Sequence, residues 1–284
     1  MSRLTNFAEN ALADFMRGVA MTLPTAWSVR LASAASDTGF TELTGTGYAP
    51  QDVTRSLTDW KSTQGNNLAS TGTSHATSNS AEIDFGAGGA GGWGTWSHVV
   101  LCDDSDNPWF FLELPSPIVI NESTPVSIAA GELAWTLGLT GGLSDYLANK
   151  LIDLLFRAQA YTYPATSYHG LLTSAPNNAG GGSEVVTGSY SRVALANDTD
   201  EWSATDAPGD TGASTGTSGE SSNNAAMVYP VPTASWGTIG WTTERDAGAG
   251  GNLLWWAALT TSITVSAGVA APRFAAGDRI RKFA

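Results

Sequence analysis

The chain repeats itself, and that repetition limits its possible folds more than any other feature. "LTNFAENALADFMRGVAMTLPTA" at 4–26 is answered by "LSDYLANKLIDLLFRAQAYTYPAT" at 143–166. Leu4, Phe7, Ala8, Ala11, Leu12, Phe15 and Met16 in the first stretch fall at i, i+3, i+4, i+7 spacing. Leu143, Tyr146, Leu147, Leu151, Leu154, Leu155 and Ala158 do the same in the second. Each set is the apolar stripe of a helix lying on a core. Thr5 and Ser144 stand at N-cap positions. Asn10 matches Asn149, Asp14 matches Asp153, and Pro24 and Pro164 punctuate the exits.

The match runs on past the helices. "FTELTGTGYA" (40–49) parallels "GSEVVTGSYS" (182–191), which pairs Glu42 with Glu184 and Tyr48 with Tyr190. "NSAEIDF" parallels "NNAAMVY", "WGTW" parallels "WGTIGW", "NPWFFLEL" parallels "NLLWWAAL", and "AAGEL" parallels "AAGDR". The offset drifts only from 139 (Asn10 to Asn149) to 146 (Ala129 to Ala275). One design therefore occurs twice, as domains 1–139 and 140–284, with the joint near "LGLTGG" at 137–142. "AEIDF" alternates as a half-buried strand does, and "WFFLEL" and "LLWWAAL" read as buried strands. "SITVS" and "DRIRKF" alternate again. The expected fold is mainly β: two tandem homologous domains, each an N-terminal amphipathic helix packed on an antiparallel β-sandwich or barrel. Loops 62–80 and 198–224 are long enough to suggest function or mobility.

Composition excludes several function classes. With a net charge of −13, nucleic acid is not an expected partner. Cys102 is the sole cysteine, so there is no internal disulfide framework. No apolar run reaches membrane-spanning length, and no export signal is expected, because residues 4–18 are amphipathic.

Several motifs invite catalytic readings that their surroundings contradict. "DTG" occurs at Asp37–Gly39 and Asp210–Gly212, as in two-lobed aspartic proteases, but the two copies are not at equivalent repeat positions. "GASTG" (212–216) fits a nucleophile elbow yet has polar loop on both sides. "GAGGAG" (86–91) is followed by another strand, not by the helix a dinucleotide needs. Asp103, Asp104 and Asp106 in "DDSDN" could offer oxygens to Ca²⁺, but the full calcium-loop pattern is missing and a solvated hairpin loop is the simpler reading. His75, His98 and His169 have no second ligand at metal spacing. Glu42 and Glu184 adjoin equivalent turns and read as structural repeat positions. No catalytic, cofactor-binding or metal residue is assigned.

The candidate partner interface consists of Arg273, Arg279, Arg281 and Lys282, which crowd one end of an acidic chain, with Trp255 and Trp256 beside them. The eleven tryptophans suit core filling or a protein interface; a sugar-stacking platform is the alternative.

The second half, from "LSDYLANKLIDLLFRAQAYTYPATSYHGLLTSAPNNAGGGSEV" through "WGTIGW", "GGNLLWWAALTTSITVSAG" and "RFAAGDRI", closely resembles the tailed-bacteriophage "phage tail fibre protein" family of small virion structural proteins. The first half resembles a diverged copy, keeping "LPTAWSVRLA" but not the "GGG" loop. The resemblance implies a non-enzymatic structural protein of the virion, assembled in the bacterial host cytoplasm, with no catalytic residues and no cofactor. A tail-fibre-like or adaptor subunit is expected; the chain shows neither the sustained heptads nor the short β-helix repeats of a long stalk, which suits an adaptor or decoration subunit held by neighbours better than a long receptor-binding fibre. Capsid decoration, cement or head-fibre duty on the same particle is the alternative, and a carbohydrate-binding module for host-surface glycans is one of another class. Expected partners are other virion proteins and copies of the chain itself, with no membrane.

Overall fold

A computed structural model of the chain describes residues 2–137 and 142–283. The expected joint between 139 and 140 lies outside the described residues. The first repeat runs β1 (Ser2–Leu4), α1 (Asn6–Met16), β2 (Ala26–Ser36), β3 (Gly39–Glu42), β4 (Gln51–Thr54), β5 (Ala76–Ser78), β6 (Ile83–Ala87), β7 (Gly94–Cys102), β8 (Pro108–Ile120), β9 (Pro125–Ile128) and β10 (Ala134–Thr136). The second runs α2 (Asp145–Arg157), β11 (Thr166–Leu172), β12 (Val193–Ala196), β13 (Glu220–Ser222), β14 (Met227–Val228), β15 (Gly237–Arg245), β16 (Leu253–Val265), β17 (Arg273–Phe274) and β18 (Ile280–Lys282).

The fold is mainly β, with one helix per repeat and several antiparallel sheets in each. The first repeat's main sheet is ordered β1-β8-β7-β2-β3, with β4 also on β2, and carries the side ribbons β5–β10 and β6–β9. The second repeats this plan: β12-β11-β15-β16 with ribbons β13–β18 and β14–β17. Even the isolated bridges correspond, Trp60 with Asn79 in one repeat and Trp202 with Asn223 in the other. Among the described residues no sheet closes on itself, which corrects the barrel alternative: the main-sheet end strands stay edges, with β16 at one margin and β12 at the other in the second repeat.

Two expected strands in the second repeat are one. "LLWWAAL" and "SITVS" join in the thirteen residues of β16. In β16 and its counterpart β8 the start is buried and residues 115–119 and 260–264 are exposed, and each strand returns to the interior at its last residue, Ile120 in β8 and Val265 in β16. The N-caps form as expected, with Thr5 Oγ1 accepting from Ala8 N and Ser144 Oγ from Leu147 N.

The chain divides into two compact units that do not follow the repeats. Unit 1 comprises residues 1–11, 22–137 and 151–161; unit 2 comprises 12–21, 138–150 and 162–284. Each unit is thus built on one repeat's strands but contains the C-terminal part of the other repeat's helix. In unit 1, Trp27, Trp60, Trp109, Phe110 and Trp135 form an aromatic core with Phe156 from α2. In unit 2, one apolar cluster joins Leu171, Val185, Tyr229, Trp236, Ile239 and Val265.

Candidate functional site

The helix ends make the most specific polar contacts in each unit. In unit 1, the Asp153 carboxylate accepts from Ser70 N at 2.8 Å and from Ser70 Oγ at 2.6 Å. It is paired with Arg157 at 2.6 Å, and Arg157 Nε donates to the Trp60 carbonyl at 3.1 Å. Arg157 is fully buried. Carbonyls at the end of α2 are covered as well: Leu155 O accepts from Trp27 Nε1 at 3.0 Å and from Arg55 Nε at 2.7 Å, and Arg55 also donates to Leu154 O. A cation at a helix C-terminus satisfies orphan carbonyls and complements the helix dipole.

Unit 2 repeats the arrangement with the roles exchanged. Asp14 Oδ1 accepts from Ser214 Oγ at 2.6 Å, and both its oxygens lie 3.2 Å from Ser214 N. Arg17 Nε donates to Asp14 at 2.9 Å, Arg17 Nη1 to the Trp202 carbonyl at 3.3 Å, and Nη2 to Gly212 O. Arg281 covers the end of α1 by donating to Met16 O at 3.3 Å. Each socket is therefore a serine loop plus a tryptophan carbonyl, and each plug is an Asp–Arg pair on a helix from the other repeat. A salt bridge that leaves water needs such extra hydrogen bonds to be tolerated.

One signal in the sequence marks the sockets. The hexapeptide "ASTGTS" stands unchanged at 69–74 and at 213–218, within the loops 62–80 and 198–224. Helix periodicity points away from the plugs: Asp153 and Arg157 lie off the apolar stripe, yet both are buried, because the Ser70 loop and the Trp60 carbonyl cover that face of α2.

Unit 2 also holds a buried ionic centre. Arg281 is paired with Glu244 at 2.5 Å, donates to Asn197 Oδ1 at 2.6 Å, and lies 3.4 Å from the Trp202 ring centroid. Tyr163 Oη donates to Glu244 at 2.7 Å. Burial alone would raise the Glu244 carboxyl, but Arg281 draws it down to about 2, helped by His169 and the Tyr163 hydroxyl. Burial drives the His169 imidazole down to about 3, with Glu244 opposing and Arg279 and Arg281 adding to the fall.

The candidate interface residues separate into two groups. Arg279, Arg281 and Trp255 are buried inside unit 2. Arg273 is exposed, while Lys282 and Trp256 are half-buried; Lys282 bonds Glu220 at 2.7 Å and Trp256 Nε1 bonds Asn178 at 2.9 Å. None of the eleven tryptophans is exposed, nine being buried and Trp241 and Trp256 half-buried, so no pair of them forms an open stacking platform.

The tempting motifs are occupied structurally. Ser214, the serine of "GASTG", holds Asp14. Asp210 accepts from Gly212 N, and Asp37 O accepts from Asn6 N. Glu42 and Glu184 each receive a tyrosine hydroxyl, from Tyr48 and Tyr190, and each pairs with an arginine, Arg30 and Arg192. Gly89 serves close approach: a Cβ there would lie 2.0 Å from Thr46 O. Asp103 closes its own hairpin by accepting from Ser105 N, Asn107 N and Trp109 Nε1, and Asp106 pairs with Arg30. Among the described residues, no group of three or more His, Cys, Asp or Glu side chains could hold a metal ion. His98 Nδ1 lies 2.7 Å from Ser97 Oγ, in a surface hollow shared with exposed Asp37 and Glu113. No described helix is long and apolar enough to cross a membrane.

Comparison with known proteins gives one family. The model of the family described as "Podophage GP4 fiber I protein gp80" matches residues 3–136 and again residues 142–280. No curated protein matches the chain.

Proposed function

Because the chain belongs to this podophage fibre family, matched over both of its halves, we propose that it works as a tail-fibre-like or adaptor subunit held among neighbouring virion proteins and copies of itself. Family membership makes it a non-enzymatic structural protein of a phage particle, with other virion proteins as its partners. The double family match is the observation that carries the reading. It also supports 1–139 and 140–284 as the duplicated units, each a helix combined with β-sandwich layers. Residues with accessible side chains, Arg273, Lys282 and Trp256, form the proposed contact with an acidic neighbour, a second copy of this −13 chain included. Arg279, Arg281 and Trp255 support that surface from within. Assembly in the host cytoplasm before incorporation into the particle accompanies this reading.

Locating the chain in intact particles tests it. Cryo-electron microscopy is expected to place stoichiometric density for this subunit on the tail. Density arrayed on the capsid lattice would favour decoration or cement instead, and absence from purified particles would overturn the structural reading. A glycan array on the isolated protein is expected to stay silent; binding that depends on Trp241 or Trp256 would favour the carbohydrate module.

A further inference from the structure

We infer that the helix-end socket is also a joint between molecules, able to take the equivalent helix end from a second copy of this chain. Recognition in each unit is carried by non-covalent groups from different repeats: Ser70 and the Trp60 carbonyl meet Asp153 and Arg157, and Ser214 and the Trp202 carbonyl meet Asp14 and Arg17. The socket sequence "ASTGTS" is the same in both repeats, and the plugs present the same Asp–Arg chemistry. Each repeat offers one plug and one socket, and each plug is already seated on a socket made by a different repeat. A repeat in another molecule presents the same atoms. Exchange of identical elements between copies keeps every native contact, so the balance between closed monomer and linked copies depends on effective concentration. Copies crowded into a particle meet that condition, and the joint would link neighbours without a new surface.

The test uses the full chain with two single variants. Ser214→Asp sets a carboxylate against Asp14, and Asp14→Lys removes the acceptor from an unchanged Ser214 loop. Each variant spoils its own closure. Together they are complementary, since the intact Asp14 of one fits the intact socket of the other and the two substitutions pair with each other. One variant is labelled with ¹⁵N, the two are unfolded, mixed and refolded, and masses are read under native conditions. The expected result is a 1:1 mixed dimer as the dominant species, with a higher Tm than either variant refolded alone. The double variant Asp14→Lys/Ser214→Asp restores closure within one chain and is expected to be a folded monomer. If that control folds while the mixture behaves as the sum of its components, the inference is overturned. Should the control not fold, labelled and unlabelled wild-type chains refolded together at high concentration decide the matter: mixed-isotope dimers support the joint, and monomers alone refute it.

Discussion

Val29 and Leu101 pair across the first repeat's main sheet, and His169 and Glu244 pair at the same place in the second. Trp135 and Arg281 likewise occupy one position in the side ribbons, opposite Thr77 and Ser221. One scaffold thus holds an apolar trio in one repeat and an ionic one in the other. Removing one partner of a buried pair strands the other, so Arg281→Ala should lower unfolding free energy by about 3–5 kcal/mol in denaturant titrations. The double variant Glu244→Leu/Arg281→Met should lose less than the sum of the two single variants. The same centre sets the acid response. The folded pKa values of His169 (about 3) and Glu244 (about 2) lie below their unfolded values, so the unfolded chain binds more protons as pH falls. Stability therefore rises with pH, and is lost from about 6.5 downward through His169 and below about 4.5 through Glu244. Tm measured against pH should fall across that window, and His169→Gln should flatten the part between about 6.5 and 3. Sequence spacing could not disclose this centre, because the segment carrying Tyr163 and His169 is joined by Glu244 and Arg281 from two distant strands, β15 and β18.

At the scale of elements, the strands and helices were largely legible and their ends were not. Alternation in "AEIDF" marks β6 and the caps stand where expected, while the helix stripes hold only in part: Ala8, Leu12, Met16, Leu147, Leu151 and Leu155 are buried, but Phe7 and Ala158 are exposed. Hydrophobic runs do not tell where a strand leaves the core, so the exposed outer parts of β8 and β16 were hidden. The helix stripe likewise says that a core is covered without saying whose core it is. Asp153 shows the consequence, since a polar residue on the outer face of an amphipathic helix becomes a buried anchor. Asp153→Ala should leave Arg157 without its carboxylate and cost about 3 kcal/mol or more in a denaturant titration. In a double-mutant cycle with Ser70→Ala, the coupling should be about 1–3 kcal/mol, whereas Ser144→Ala, which loses a cap and the hydroxyl's bond to the Leu253 carbonyl, should cost about 1–2 kcal/mol.

At the scale of the molecule, the doubling was readable because many short motifs keep order and offset. The family resemblance and the family match over both halves give it one meaning, a fibre-family structural protein. The reciprocal placement of the helix ends was not readable from periodicity, since a repeat in sequence and a compact unit in space need not coincide. The repeated "ASTGTS" was the available trace, hidden by its resemblance to ordinary turn-rich loop. Most of the motifs that resemble catalytic signatures dissolve at this scale, because their residues close turns or hold helices. The central claim is that each unit is completed by the other repeat's helix end. Hydrogen exchange on the Asp153→Ala variant tests it most directly. The account predicts lost protection around residues 60–70 and in β5 of the first repeat, far along the chain from the substitution, with β11 and β15 unchanged. Loss confined to β11 and its neighbours, with the 60–70 loop as protected as before, would contradict it.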